Sequence, residues 1–283
     1  TLKKMDDSFP PRLTGGELLK KEIILENNGI LSIPRTLHYF EPVQLMFSLL
    51  RDPDIMEHFV CYPQRKLTNC GKRIYDEVTS ATWFENAFNN SKATENGVLK
   101  PGHLFVALTV FSDGSPIDKQ MKHSEHPFLL TILNLTLEGR KKVDWWQLVS
   151  LLPDIEVSDL EKQMDTKKSG NDISLSRLKL YHAVTGFLLE PFQDPNKCYD
   201  IWVHGLGYTK VYFQIRMVVG DTEEPNKICG FRVGNGLYRQ HVCRDCTVRT
   251  ENADNPDIEC ELREVGDAYK ILKQYLDKET YPD

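Results

Sequence analysis

The sequence predicts an α+β or α/β fold in which a mixed sheet is flanked by helices. Two runs rich in Val, Leu, Phe and Tyr, at about residues 103–112 and 208–219, are each followed closely by an aspartate, as buried strands that lead into a loop are. Two more apolar runs lie between them, separated by turn residues. A longer stretch, about residues 174–189, instead repeats apolar residues at helical spacing. A hydrophobic content of 40% over 283 residues supports a sizeable core for these elements.

The first hundred residues are predicted to form an N-terminal arm followed by a helical region. Residues 1–40 mix charge, proline and glycine with short apolar runs, which favours an extended arm. A helix is predicted to begin near Pro42, which suits a first helical turn, and to run as far as Asp52. A second short helix is predicted over residues 54–60. The segment RIYDEVTSATWFENAF supplies apolar packing residues, namely Tyr75, Val78, Trp83 and Phe84.

Residues 101–228 are predicted to form the core of the fold, which begins with three strands. HLFVALTVFSDG describes a buried strand that delivers Asp113 to its exit. HPFLLTILNLTLEGR predicts a second strand, and WWQLVSLLP predicts either a third strand or a short helix. The short turns between these segments favour an antiparallel meander.

A helix and then a hairpin are predicted after the meander. The helix covers about residues 174–189 and is ended by Pro191. The hairpin has a short strand over residues 199–204, a Gly-Leu-Gly turn, and a long apolar strand that ends at Gly220 and Asp221. A second aspartate therefore leaves a second apolar strand.

Without the short strand of the hairpin, the order is strand, strand, strand, helix, strand. An aspartate follows the first and the last of these strands. This is the order of an RNase H-like core, in which the first and fourth strands lie side by side. Asp113 and Asp221 are therefore candidates for one shared site. Strand-end aspartates also form turns and cap helices, so the order alone leaves that alternative open.

Several motifs in this region resemble those of a known family. FSDGSPIDKQ, HPFLLTILNLTLEGRKK, WWQLVSLLP and VVGDTEEPNKICG, within about residues 55–250, resemble the transposases of the Plavaka group, which is related to the Kyakuja-Dileera-Zisupton and CACTA-type DNA transposons. The first aspartate of that group matches Asp113, and its second acidic signature matches Asp221 with Glu224 and Cys229 nearby. Where the group often has Asp-Lys-Thr, this chain has Asp113-Gly114-Ser115.

The resemblance implies DNA cleavage and strand transfer with two divalent ions, Mg²⁺ or Mn²⁺. Asp113 would bridge both ions and Asp221 would bind one. The residue types fit this chemistry, because hard cations prefer oxygen ligands and two ions about 4 Å apart can activate the attacking oxygen and stabilise the leaving one. The implied partner is DNA at transposon ends, and a homo-oligomer is also expected.

The third carboxylate of such a site has no marked candidate in the sequence. Glu259, Glu261 and Glu264 follow the second aspartate but lie in a cysteine-bearing insertion. Because the chain begins at Thr1 and stops just after a helical pattern, a fragment is predicted, with the third acid beyond Asp283.

The insertion, residues 229–265, carries half of a zinc site. Cys243 and Cys246 are separated by two residues, a spacing that lets both thiolates bind one ion, and zinc takes four such ligands. His241, Cys229 or Cys260 could complete the site. A redox pair and two unrelated buried thiols are the alternatives. Residues 266–283 are predicted to begin a C-terminal helical segment.

Charge and cysteine content limit where the protein acts. Seven scattered cysteines, in a chain too large to need disulfide staples, favour a reducing compartment. No apolar stretch approaches the ~20 residues of a membrane helix, and no signal peptide is evident, so a nuclear or cytoplasmic protein without a membrane partner is predicted. A net charge of −6 restricts any DNA contact to local basic patches, namely 65–66 with 72–73, 140–142 and 167–168.

Three alternative functions stay open at this point. The first is a catalytically inactive, transposase-derived protein that binds DNA or a protein partner. The second is a nuclease of the same fold, and the third is an unrelated intracellular α+β binding module with a zinc knuckle. The tryptophans lie beside apolar runs, so core packing is predicted for them rather than stacking on DNA bases; they are Trp83, Trp145, Trp146 and Trp202.

Overall fold

The computed structural model describes residues 17–27, 31–116, 124–153, 170–220 and 261–262. The chain divides into two compact units, residues 1–224 and 225–283. In the second unit the described residues are Glu261 and Leu262, both exposed. The fold below is that of the first unit.

Twelve described strands and five described α-helices make up this unit. The strands are β1 (Leu19–Asn27), β2 (Leu31–Tyr39), β3 (Lys66–Leu67), β4 (Arg73–Ile74), β5 (Thr94–Glu95), β6 (Val98–Leu99), β7 (His103–Ser112), β8 (Ser115–Pro116), β9 (Ser124–Ile132), β10 (Gln147–Leu152), β11 (Tyr199–Val203) and β12 (Gly207–Val219). The helices are α1 (Pro42–Arg51), α2 (Pro53–Met56), α3 (Thr82–Asn89), α4 (Leu137–Arg140) and α5 (Gly170–Leu189). None of the described helices is long and apolar enough to cross a membrane.

One mixed sheet organises the unit. Its strands are hydrogen-bonded in the order β1-β2-β10-β9-β7-β12-β11, and β8 also pairs with β9. β12 runs parallel to β7, whereas the other neighbouring strands in this sheet are antiparallel. The predicted meander β7-β9-β10 is confirmed, and so is the predicted pairing of the first and fourth core strands. The α+β fold with a mixed sheet flanked by helices is therefore present.

The N-terminal region differs from the predicted arm. β1 and β2 form a regular hairpin in which Leu19 is opposite Tyr39, and Tyr39 in turn pairs with Ser150 of β10. Ile23 and Leu37 are buried in the core, while Lys20, Lys21 and Glu22 of β1 are exposed. An antiparallel edge hairpin keeps one solvated face, so its composition resembles that of an arm. The prediction of an arm was wrong for these residues.

Other elements agree with the sequence more closely. α1 begins at Pro42 as predicted, and the predicted second short helix is α2, which ends at Met56 rather than at residue 60. Of the two alternatives for WWQLVSLLP, the strand is present as β10, and a 3₁₀ turn, Val143–Trp145, precedes it. The domain boundaries at residues 100, 228 and 265 stay predictions.

The two faces of the sheet carry two separate clusters of buried side chains. One face, called the α1/α5 face, packs against helices α1 and α5 and forms the larger cluster; from β7 it includes Leu104, Val106, Leu108 and Val110. The opposite face, called the α3 face, packs against α3; its cluster joins Phe105 and Ala107 to Phe84, Phe88, Leu133 and Tyr212. Residues of β7 thus alternate between the two faces, as strand geometry requires.

The predicted core packing holds for some aromatic residues and fails for others. Trp145 and Phe84 are buried. Tyr75 is 63% exposed, Trp202 is 42% exposed and Trp83 is 37% exposed, so core packing was wrong for all three. Trp202 shares its side of the edge strand β11 with the exposed Asp200, which explains its exposure.

Candidate functional site

The Asp113 carboxylate lies where β7 leaves the sheet. Ser112, the last residue of the strand, is fully buried, and Asp113 is half-buried. The Asp113 side chain makes no hydrogen bond or ion pair with another residue in the part of the chain that the structure describes. A half-buried carboxylate without a protein partner is suited to binding a cation, because a buried charge needs a compensating one.

An interruption of the sheet coincides with Asp113. Ser112 pairs with Phe128 of β9, and pairing resumes where Ser115 of β8 meets Glu125. Between these pairs, Asp113 lies across from Pro127, which has no N–H to donate to a strand ladder. The proline therefore explains why β7 ends where it does, and why the aspartate follows the strand rather than lying within it.

Gly114, which follows Asp113, is in close contact with a histidine ring. A Cβ atom at position 114 would lie 2.9 Å from Cε1 of His126, closer than real Cβ contacts allow. A side chain at this position would therefore require the imidazole to move. This contact gives a physical reason for the departure from Asp-Lys-Thr, because only glycine allows the ring to approach this closely.

The neighbouring strand β12 ends at the same edge of the sheet. Val218 pairs with Val110 and Val219 pairs with Phe111, and Gly220 is the last described residue of this segment. In a parallel ladder, paired residues carry their side chains on the same face of the sheet. The predicted second acid, Asp221, lies outside the described residues.

The segment from Asn134 to Arg140, part of the Plavaka-like motif, has a structural role. The buried Asn134 side chain accepts a hydrogen bond from the Ala107 N–H and donates one, 3.1 Å long, to the Phe105 carbonyl. The Arg140 guanidinium donates to the Leu135 carbonyl and pairs with Glu77. These contacts hold the end of β9 against β7, far from Asp113.

The predicted basic patches are mostly paired with acids. Arg65 and Arg73 both contact Glu85, and the N–O distance is 2.8 Å in each pair. Hydrogen bonds from the two arginines lower the pKa of the Glu85 carboxyl, and the bond from Arg65 is the larger cause. Lys66 pairs with Asp76. In the run 140–142, by contrast, Lys141 and Lys142 are exposed. The Lys142 ammonium lies 4.2 Å from the ring centroid of Trp145, while residues 167–168 lie outside the described residues.

The proposed zinc ligands also lie outside the described residues; they are His241, Cys243, Cys246 and Cys260. Of the glutamates considered for the third acid, Glu261 is described and is exposed. Within the described ranges, no group of three or more His, Cys, Asp or Glu side chains could hold a metal ion. Cys61, Cys70 and Cys198 are free thiols, and burial raises the pKa of Cys61.

A half-exposed apolar surface adjoins Asp113 on the α3 face, and sequence reasoning did not find it. It is called the apolar shelf and consists of Phe111, Leu129, Trp146, Leu148 and Val219. Val219 is 37% exposed and the others are half-buried. The alternation of side chains along β7 could have predicted that Phe111 lies on the same face as Asp113. Trp146 comes from another segment of the chain, and its ring centroid lies 6.1 Å from that of Phe111.

One known family matches this chain. The model of the Plavaka transposase family matches residues 20–282, nearly the whole chain. No curated protein matches it.

Proposed function

The chain belongs to the Plavaka transposase family, and from this membership we propose that it cuts and joins DNA at transposon ends by two-metal phosphodiester transfer. The matched residues include both Asp113 and Asp221. Membership excludes the alternative of an unrelated binding module. DNA is the partner that a transposase family implies.

The register between β7 and β12 carries the proposal. Phe111 pairs with Val219, and Asp113 and Asp221 each follow their member of this pair by two residues. Neighbouring strands lie about 4.8 Å apart, so the chain segments that leave β7 and β12 at the same edge of the sheet begin close together. We therefore assign the two carboxylates to one shared metal site.

The residues around Asp113 support a site for hard cations. When bound, two Mg²⁺ or Mn²⁺ ions would activate the attacking oxygen and stabilise the leaving one. Asp113 would hold both ions, since its carboxylate has no competing partner among the described residues, and Asp221 would hold one. The His126 ring lies close to Gly114, the residue that follows Asp113. The third carboxylate of the site stays unassigned.

The test is DNA cleavage and joining by variants of the two aspartates. Asp113→Asn and Asp221→Asn should each lower Mg²⁺-dependent nicking of a DNA duplex carrying the transposon end by about 1,000-fold, because several kcal/mol of charge stabilisation are lost. The matched control is Asp200→Asn, an exposed aspartate on β11 that pairs with Lys210 near the start of β7. It should leave nicking unchanged.

The same assay separates the remaining alternatives. Wild-type protein that binds the duplex but neither nicks nor joins it, with Asp113→Asn behaving identically, would indicate an inactive, transposase-derived binding protein. Nicking without joining would indicate a nuclease. Nicking that survives both substitutions would contradict the assignment of the two acids.

We also propose that His241, Cys243, Cys246 and Cys260 hold one structural Zn²⁺. The paired-cysteine spacing supports this, because it allows two thiolates to bind one ion. Purified protein should contain one zinc per chain, and Cys243→Ser should lose it. Cys70→Ser, which replaces an exposed free thiol, is the control and should retain it. A zinc content unaffected by Cys243→Ser would disprove the site.

A further inference from the structure

A cavity of about 480 Å³ lies between helix α5, the 3₁₀ turn Glu190–Phe192 and strand β12. β12 borders it at residues 214–216, beyond Val211, where the pairing of β12 with β11 ends. Among the strands that the structure describes, none covers this side of β12 past that point. The volume falls within the roughly 300–1,000 Å³ that is usual for small-molecule sites. Asp113 does not line this cavity.

Gly186 lines the cavity from the last turn of helix α5. Its φ angle is not positive, so it does not serve as a left-handed helix cap. In helical conformation glycine is destabilising relative to alanine. A Cβ atom at position 186 would nevertheless meet nothing within 4 Å, so packing inside the protein gives no reason for glycine here. Close approach of a ligand to the helix backbone would give one.

Two polar side chains of β12 line the cavity without a protein partner. Gln214 is 9% exposed, and its amide makes no hydrogen bond with any described residue. Arg216 is exposed, and its guanidinium makes neither a hydrogen bond nor an ion pair with the described part of the chain. Buried amides are almost always hydrogen-bonded, so the amide of Gln214 is available to a ligand.

The charge and polarity of the lining indicate which kind of ligand fits. Glu190 and Asp194, the acids of the neighbouring turn, act electrostatically on Lys197, and neither forms an ion pair with Arg216. The planar guanidinium is suited to carboxylates and phosphates, which it binds through two N–H donors. Leu189 and Ile215 add apolar surface. An anionic group on an apolar body therefore fits better than a neutral molecule or a free ion.

We propose that this cavity binds a small organic anion. Its carboxylate or phosphate group pairs with Arg216 at the exposed rim, a polar edge bonds to the Gln214 amide, and the apolar body packs against Gly186 and Leu189. No DNA, metal ion or cleaved bond enters this inference, so it can fail while the proposed function holds, and the reverse.

Binding of simple probes to the purified chain tests the proposal. The probes are phenyl phosphate, benzoate, the neutral benzyl alcohol and inorganic phosphate, each titrated by calorimetry without DNA or added metal. At least one of the two aromatic anions should bind about tenfold more tightly than benzyl alcohol, because it adds a charge-assisted hydrogen bond. The tighter of the two distinguishes a phosphate from a carboxylate ligand. Inorganic phosphate should bind more weakly than phenyl phosphate, since it has no apolar body.

Arg216→Gln tests the anionic end of the site. It should weaken binding of the tighter anion by about tenfold and leave benzyl alcohol unchanged. Arg51→Gln is the matched control, because Arg51 is also an exposed arginine but lies in the last turn of α1, outside the cavity. It should change neither affinity.

Gly186→Ala separates binding from folding. The new methyl group should raise the melting temperature, because alanine favours the helix and nothing lies within 4 Å of it. The same methyl group should weaken binding of both the anion and benzyl alcohol by about tenfold, since it occupies the space beside the helix. A more stable protein that binds less tightly excludes unfolding as the cause.

Four results would overturn the proposal. They are no binding of either aromatic anion, binding of benzyl alcohol as tight as that of both anions, equal binding of inorganic phosphate and phenyl phosphate, and anion affinity that Arg216→Gln or Gly186→Ala leaves unchanged.

Discussion

The two faces of the sheet differ in how much of their apolar surface is buried. On the α1/α5 face, one buried cluster joins residues of α1 and α5 to the sheet, and Val106, Leu108 and Val110 of β7 are fully buried in it. On the α3 face, buried packing covers Phe105 and Ala107, whereas Phe111 is half-buried next to Asp113. The comparison indicates that one face supplies most of the folding stability, while the other combines packing at one end with an accessible surface at the other.

The largest expected effect separates the two faces by their contributions to stability. Leu108→Ala should lower the free energy of unfolding by about 2–5 kcal/mol, because it leaves a cavity in a fully buried cluster. Phe111→Ala removes a larger side chain but should cost only about 1 kcal/mol, because part of that ring is already in water. Urea unfolding of the two variants measures the difference. Equal losses would show that the α3 face is as closed as the other.

A smaller effect is expected at Gly114, where the sheet ends beside Asp113. Gly114→Ala should destabilise the protein by about 1 kcal/mol, because the His126 ring would have to rotate away from the new Cβ. His126→Ala in the same chain should remove most of that cost, since the space is then free. The double-mutant cycle, measured by thermal unfolding, isolates the contact. Additive effects would mean that the ring does not determine the choice of glycine.

The smallest effect concerns the ion pairs that hold α3. Hydrogen bonds from Arg65 and Arg73 lower the pKa of Glu85 from its ordinary value of 4.5. A lowered folded-state pKa means that Glu85 adds stability above pH 4.5 and that this stability is lost as the pH falls further. Glu85→Gln should therefore be less stable than wild type by about 1 kcal/mol at pH 7, and the gap should close as the pH falls below 4.5.

Unfolding curves of both proteins across that pH range provide the measurement. The matched control is Glu95→Gln, an exposed glutamate of β5 outside these ion pairs. A constant gap between wild type and Glu85→Gln would contradict the role of the two arginines.

The local sequence pattern was sufficient to predict those elements whose own residues show that they are buried. β7 is buried at seven consecutive positions, from Leu104 to Val110, and its apolar run and terminal aspartate predicted both the strand and its exit. The β1–β2 hairpin was missed because its charged residues face solvent and hide the alternation. Core packing was wrong for Trp202 because its neighbours in sequence do not show that β11 is an edge strand.

The candidate site was predictable only in part, for a related reason. Asp113 was found because a strand-end aspartate is a local signal. The apolar shelf was not, because Phe111, Leu129 and Trp146 come from three separate segments and meet only through the register of the sheet. The roles of Asn134 and Arg140 in holding β9 were likewise visible only from their hydrogen bonds.

By itself, the sequence determined the order of the core elements and the residue that leaves the first strand, since apolar periodicity and turn residues act over a few neighbours. Tertiary structure alone decided which strands are neighbours, which face of β7 is closed, and why glycine follows Asp113. These features depend on hydrogen bonds and packing between residues far apart in the chain, which no local pattern records.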